Sequence, residues 1–191
     1  MYSDGYISKA KYTNKFGISV SEKDKEWLEK FKKFLNYNGE IHSYKVGKSG
    51  YKPGVPYVRL LIGNNQIVSD LERWGVIEHK SKKLKSIPDI EYKYDFIRGY
   101  IDGDGSLRKD YPNLRICGTY EFLQSIAKFL KIKYSIIQDK TIYDLCYNVK
   151  ESTYLEKKLY QNASCFLDRK YEIAKRSFNS PITLEDVMQT P

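Results

Sequence analysis

Cysteine and histidine are scarce: three cysteines, Cys117, Cys146 and Cys165, and two histidines, His42 and His79, stand in 191 residues. An odd number of cysteines with no paired spacing excludes a disulfide framework, and so few thiols and imidazoles argue against a zinc site. Long apolar runs are missing as well. No segment approaches the about 20 residues that a helical membrane span requires, and the first residues show no basic head followed by an apolar stretch. Acid is outnumbered: 24 Asp and Glu face 33 Lys and Arg, a net charge of +9.

That surplus of cations points to a polyanionic partner, because phosphate neutralisation supplies most sequence-independent affinity for nucleic acid. Eighteen tyrosines interleaved with lysines fit the same partner, since phenols pack on sugars, stack on bases and donate to phosphates. Hydrophobic residues make up 41% of the chain, enough for a buried core in one large domain or two small ones. A reducing compartment that holds nucleic acid is expected: the cytoplasm of a bacterial or phage-infected cell, or an organelle.

The most informative stretch is FIRGYIDGDGSL, residues 96–107. Ile97, Tyr100 and Ile101 recur at helical spacing, and the run ends in two carboxylates alternating with glycines before a strand-like segment. A carboxylate at the end of a packed helix suits a hard divalent cation, which takes its other oxygens from water and phosphate. A shortened copy stands at residues 1–7, so that Asp4 and Asp104 lie 100 positions apart. Two copies of one unit predict a pseudo-symmetric protein with one acid from each half.

Residues 97–105, IRGYIDGDG, resemble the nine-residue motif of the LAGLIDADG homing endonucleases and related maturases, with Arg98 and Gly103 in place of its alanines. The stretch 66–88, QIVSDLERWGVIEHKSKKLKSIP, resembles the family segment that closes the first repeat, and residues 167–171 resemble its counterpart in the second. In the first copy the four leading motif residues are absent, Met1 stands at the fifth position and Tyr2 replaces the first aspartate. The first motif helix is therefore expected to keep about one turn, leaving Asp4 on a fraying end.

The resemblance implies an α+β fold of two αββαββα repeats, 1–90 and 91–191, whose antiparallel sheets form a DNA-binding saddle. It implies a monomeric, site-specific endonuclease that hydrolyses both strands of a long, asymmetric duplex site with Mg²⁺ or Mn²⁺. Asp4 and Asp104 are the implied metal acids, joined by the carbonyls of Ser3 and Gly103. By motif position Lys80 and Lys170 are the implied catalytic lysines, with Lys82 and Lys83 as competitors. Asp102 is expected to cap or pack rather than bind metal. A non-cleaving relative, acting as an intron RNA maturase or DNA-binding protein, is the alternative reading. Intein splicing is disfavoured, because Met1 is no splicing nucleophile and residues 188–191 lack a His-Asn pair.

Periodicity predicts strands at 5–12 and 16–20, a helix at 21–36, strands at 40–47 and 55–62 around a hairpin tip at 48–54, and a helix at 64–74. The second half repeats the order: helix 92–103, strands 105–109 and 113–118, helix 119–131, strands 133–138 and 141–149, helices 151–161 and 164–176. Ser21 with Asp24 reads as a capping pair, and Trp27, Phe31, Phe34 and Leu35 as the apolar face of their helix. Residues 81–92 read as a linker and the polar tail from Phe178 as loosely ordered. Alternation turns Tyr6, Ser8, Tyr57 and Arg59 outward in the first half, and Ser106, Arg108, Asn113 and Arg115 in the second. These are the candidate DNA-binding residues, the arginines as readers of guanine edges. Lys9 and Lys11 share the parity of Ile7, so the first strand must bulge or end early.

Overall fold

The structure is a computed structural model that describes residues 2–48 and 53–188; positions 49–52 of the expected hairpin tip lie outside them. The chain forms two compact units, Met1–Lys80 and Ser81–Pro191.

In the first unit β1 (Gly5–Ser8), β2 (Lys15–Ser21), β3 (His42–Lys45) and β4 (Pro56–Gly63) form one antiparallel sheet in the order β1-β2-β4-β3. Alternation builds it: Ile7, Phe16, Ile18, Val58, Leu60 and Ile62 point to one face and are buried, as a half-buried sheet requires. Helices α1 (Lys25–Phe34) and α2 (Asn65–Arg73) supply Leu28 and Val68 to the same core. Asn64 caps α2, its side chain accepting from the Ile67 amide at 3.0 Å.

Three expectations are corrected here. Strand β1 stops at Ser8 instead of continuing to residue 12, because the Lys9 amide donates to Glu78 and the Ala10 amide to Asn14 rather than to the ladder. That early end accounts for the parity of Lys9. Neither Ser21 nor Asp24 makes a side-chain cap, because a 3₁₀ turn, Glu22–Asp24, intervenes before α1. Phe34 is 82% exposed, whereas Leu28 is fully buried beside Trp27, Phe31 and Leu35. Trp27 and Phe31 stack, one helical turn apart, with centroids at 5.6 Å.

The second unit repeats the plan behind a full leading helix, α3 (Lys93–Asp104). Strands β5 (Gly105–Leu107), β6 (Leu114–Gly118), β7 (Ser135–Asp139) and β8 (Ile142–Tyr147) pair antiparallel in the order β5-β6-β8-β7, the same topology as the first sheet. Around it lie α4 (Tyr120–Leu130), α5 (Val149–Tyr160) and α6 (Asp168–Ala174), which runs into a 3₁₀ turn, Lys175–Ser177. Ile97, Tyr100 and Ile101 are buried at the predicted spacing. Arg98 is buried too, spanning the Cys165 carbonyl at 2.9 Å, the Leu159 carbonyl near the end of α5 at 3.3 Å, and Asp95 at 2.6 Å.

Residues 81–92 pack on the second unit: Thr119 donates to the Leu84 carbonyl, and the Ile87 amide donates to Ser125 at 2.9 Å. The tail is ordered through Met188, against expectation. Val187 is fully buried, its carbonyl accepts from the Lys133 amide at 2.9 Å, and Lys157 donates to the Ser180 carbonyl at 2.7 Å. A β-bridge between Ile132 and Met188 adds to these anchors. Among the described residues no helix is long and apolar enough to cross a membrane.

Candidate active site

The motif helix α3 ends at Asp104 and the chain leaves at once as β5. Glycine is needed at 105, since a Cβ there would lie 2.6 Å from the Ile101 carbonyl oxygen. The turn exposes Asp104 and buries Asp102. Asp102 accepts from the Tyr160 hydroxyl at 2.7 Å and from the Leu167 amide at 3.0 Å, which ties α3 to α5 and to the start of α6. Burial pushes the Asp102 carboxyl above the usual carboxylate range, against the opposing pull of those two donors, Lys170 and Arg98. Asp104 lies beside the Tyr100 hydroxyl, which donates to the Cys117 carbonyl at 2.9 Å; burial first and the Asp104 charge second raise the phenol's pKa.

The last carbonyls of a helix are short of intrahelical donors, and here the Gly105 amide reaches only that of Ile101. Lys170 meets them. Only 3% exposed, it donates its ammonium to the carbonyls of Ile101 at 2.5 Å, Asp102 at 2.7 Å and Gly105 at 2.7 Å. The positive charge also sits where the helix dipole is negative.

The first unit builds the same corner without the helix. Residues 2–4 are not helical, which corrects the expected single turn, and Asp4 stands exposed immediately before β1. The corner is nonetheless held. Lys80, 5% exposed, donates to the carbonyls of Ser3 at 2.8 Å and Gly5 at 2.6 Å, and the Ser19 amide donates to the Asp4 carbonyl at 3.4 Å. Tyr2 takes the place of the missing aspartate and packs on the first core. Lys82 and Lys83 are exposed, unlike Lys80 and Lys170.

Each unit therefore presents one exposed carboxylate on a corner fixed by a buried lysine. The donor set suits Mg²⁺ or Mn²⁺, which need only one or two protein carboxylates and accept water and phosphate oxygens for the rest. Among the described residues no three His, Cys, Asp or Glu side chains cluster as metal ligands. The Ser3 carbonyl, expected as a ligand, accepts from Lys80; the Lys170 clasp uses the carbonyls on either side of Gly103 and Asp104.

The candidate DNA-binding side chains lie on the outer faces of the sheets. In the first, Ser8 is exposed and Tyr6, Tyr57 and Arg59 are half-buried against one another. In the second, Ser106 and Arg115 are exposed and paired in register. Arg108 falls just past β5 and donates to the Tyr111 hydroxyl at 2.7 Å, while Asn113 donates to the Tyr147 carbonyl at 3.3 Å. Register adds neighbours that the sequence reading passed over: Ser19 and His42 beside Arg59, Tyr44 beside Tyr57, and Cys146 and Asp144 beside Arg115 and Cys117. The alternation in KFGISVS carried the signal for Ser19. Burial first, then Asp144, Asp104 and Asp139, raise the Cys117 thiol's pKa, which makes it a poor nucleophile.

No protein-family model and no curated protein matches the chain. Solved structures do. It is similar to the meganuclease I-SmaMI bound to uncleavable DNA, with a TM-score of 0.61 at 12% identity over 92% of this chain and 87% of that one. Similarity to the LAGLIDADG meganuclease I-AabMI bound to uncleaved DNA gives 0.56 at 13% identity, over 97% and 92%. The I-LtrWI LAGLIDADG homing endonuclease bound to target DNA gives 0.59 at 13% identity, over 93% and 86%. With two sheets of one strand order, each opened by an exposed aspartate on a lysine-clasped corner, the chain has the LAGLIDADG homing endonuclease fold.

Proposed function

We propose that the chain is a member of the LAGLIDADG homing endonuclease family and a monomeric endonuclease that cuts both strands of a long, asymmetric DNA site with Mg²⁺ or Mn²⁺. The observation that carries this reading is the repetition of one corner: Asp4 over the Lys80 clasp and Asp104 over the Lys170 clasp. A structural or binding role would require neither carboxylate to be exposed on a corner so firmly fixed. The DNA-bound state of the similar meganucleases and the +9 charge support the partner.

When bound, a divalent cation would polarise the phosphoryl oxygens and lower the pKa of an attacking water. Asp4 in the first unit and Asp104 in the second would each hold a cation at its own corner through a carboxylate oxygen. Lys80 and Lys170 hold the backbone that aims those oxygens, and their ammonium charges lie within the same corners. Tyr100 keeps its proton at neutral pH, so its hydroxyl remains a donor beside Asp104. Outer-face residues of both sheets bind the duplex, Arg115 and Ser106 in the second unit and Tyr6, Ser8, Tyr57 and Arg59 in the first.

The test is selection of bound duplexes from a randomised library, followed by cleavage of the selected site with Mg²⁺ or with chelator. The wild-type chain should linearise a plasmid carrying that site, only with metal, and bind with a log–log salt slope of roughly −5 or steeper. Asp4→Asn and Asp104→Asn should abolish double-strand cleavage and leave affinity similar or higher, since each removes a negative charge facing DNA. Wild-type rates for Asp104→Asn would overturn the catalytic assignment. Tight binding without cleavage by the wild type would establish the non-cleaving alternative.

A further inference from the structure

The outer face of the first sheet has an arginine at its centre that is held from several sides. Arg59 donates Nε to the Ser19 hydroxyl at 3.2 Å and a terminal N–H to the Tyr57 hydroxyl at 3.3 Å. Its guanidinium carbon stands 5.1 Å from the centroid of Tyr44, 5.5 Å from Tyr57 and 5.7 Å from Tyr6. The cage is itself braced. Tyr44 and Tyr57 stack across β3 and β4 at 5.5 Å, and Tyr6 lies over Gly17, where a Cβ would come within 2.6 Å of its ring. Only glycine at 17 leaves the ring that low on the sheet.

We propose that Arg59 is a preorganised reader of one guanine in the half of the duplex that the first unit contacts, with Ser19, Tyr44, Tyr57 and Tyr6 as its positioning residues. The inference rests on the endonuclease reading and adds a base-specific role to it. Arginine carries five N–H donors. Two are engaged inside the cage, which fixes the plane of the fork while leaving donors for a partner. The edge of guanine, O6 beside N7, is the base-pair feature that a planar fork meets with two parallel bonds. A flexible surface arginine loses rotamer freedom when it makes that contact. Here the loss has occurred on folding, so more of the contact appears as affinity and a mismatch is penalised more heavily. Cation–π attraction to three rings holds the charge without neutralising it, so the guanidinium stays cationic for DNA.

Neither of the two candidate DNA-binding arginines of the second unit is held this way. Arg108 meets one ring, that of Tyr111, at 4.7 Å and lies beyond its strand, and Arg115 is exposed beside Cys146. A single dominant guanine is therefore expected from the first face.

Selection from a randomised duplex library with the full chain tests this directly. Wild type should fix one G·C pair with a preference of about tenfold to a hundredfold over other bases. Arg59→Lys keeps the charge and loses the fork, so that position should flatten while the rest of the profile persists. Tyr44→Leu, which leaves the arginine in place and loosens the cage, should weaken the same position several-fold with bulk affinity retained. A profile for Arg59→Lys that superimposes on wild type overturns the proposal. So does equal weakening on all sequences with the salt slope of Arg59→Ala reduced by about one, the mark of a phosphate contact. Failure of the wild-type chain to enrich any duplex would overturn this proposal together with the endonuclease reading, whereas binding and cutting without the guanine preference would overturn this one alone.

Discussion

Lys80 and Lys170 hold equivalent atoms: each donates its ammonium to the carbonyl of the glycine that opens its unit's first strand, Gly5 at 2.6 Å and Gly105 at 2.7 Å. An exposed lysine that merely meets phosphate would have no reason to be 5% or 3% accessible. Burial of an ammonium costs several kcal/mol unless its protons are all engaged, and three carbonyls around Lys170 match its three N–H groups. The charge therefore acts through the corner that carries the aspartate.

Lys170→Ala should accordingly lower stability by at least about 2 kcal/mol, because hydrogen bonds to a charged group are lost and carbonyls are left unsatisfied. Cleavage should fall with it. Lys80→Ala removes the matching clasp on the Ser3 and Gly5 carbonyls and should likewise lower stability. Urea denaturation and the salt slope of duplex binding separate this from a phosphate contact, for which stability would be unchanged and the slope would shrink by about one.

Much of this was legible in the sequence because it follows from short-range periodicity. The alternation in YVRLLIG and the helical spacing of Ile97, Tyr100 and Ile101 set the elements, and both sheets follow from them. The doubled aspartate marked the two corners. What stayed hidden depends on which residues meet across the chain. The Arg59 cage joins four strands, and nothing in the sequence spacing relates Tyr6, Ser19, Tyr44 and Tyr57 until register is known. The partners of Asp102, Tyr160 and Leu167, lie on elements far from it in sequence. The place of Phe34 was misjudged for a different reason. A helix face read from large side chains alone overlooked Leu28, which with Trp27, Phe31 and Leu35 completes the stripe facing the core.

That misjudgement gives a paired test on α1. Leu28→Ala removes a fully buried side chain from the first core and should cost about 2–5 kcal/mol. Phe34→Ser, at a position 82% exposed, should change stability by no more than about 0.5 kcal/mol. Thermal or urea unfolding of the two variants decides it. Equal losses would mean that Phe34 is covered in solution.

Asp102 contributes to the pH dependence of the second unit's stability. Burial raises its folded-state pKa above the ordinary 3.8, although Tyr160, Leu167, Lys170 and Arg98 pull the other way. A raised acid binds its proton more tightly in the folded state than in the unfolded one, so its contribution to stability is greatest below 3.8 and is lost as pH rises through the folded value. Asp102→Asn fixes the uncharged form. Its amide oxygen still accepts from the Leu167 amide, and its NH₂ donates to the Tyr160 hydroxyl, which can accept as well as donate. Other titrating groups are common to both proteins and cancel in the difference. The unfolding free energy of the variant relative to wild type should therefore move in the variant's favour as pH rises from about 4 to about 7, measured by urea denaturation at several pH values. A difference that stays flat, or that favours wild type increasingly with pH, would show that the hydrogen bonds and neighbouring cations outweigh burial and that Asp102 is charged in the folded protein.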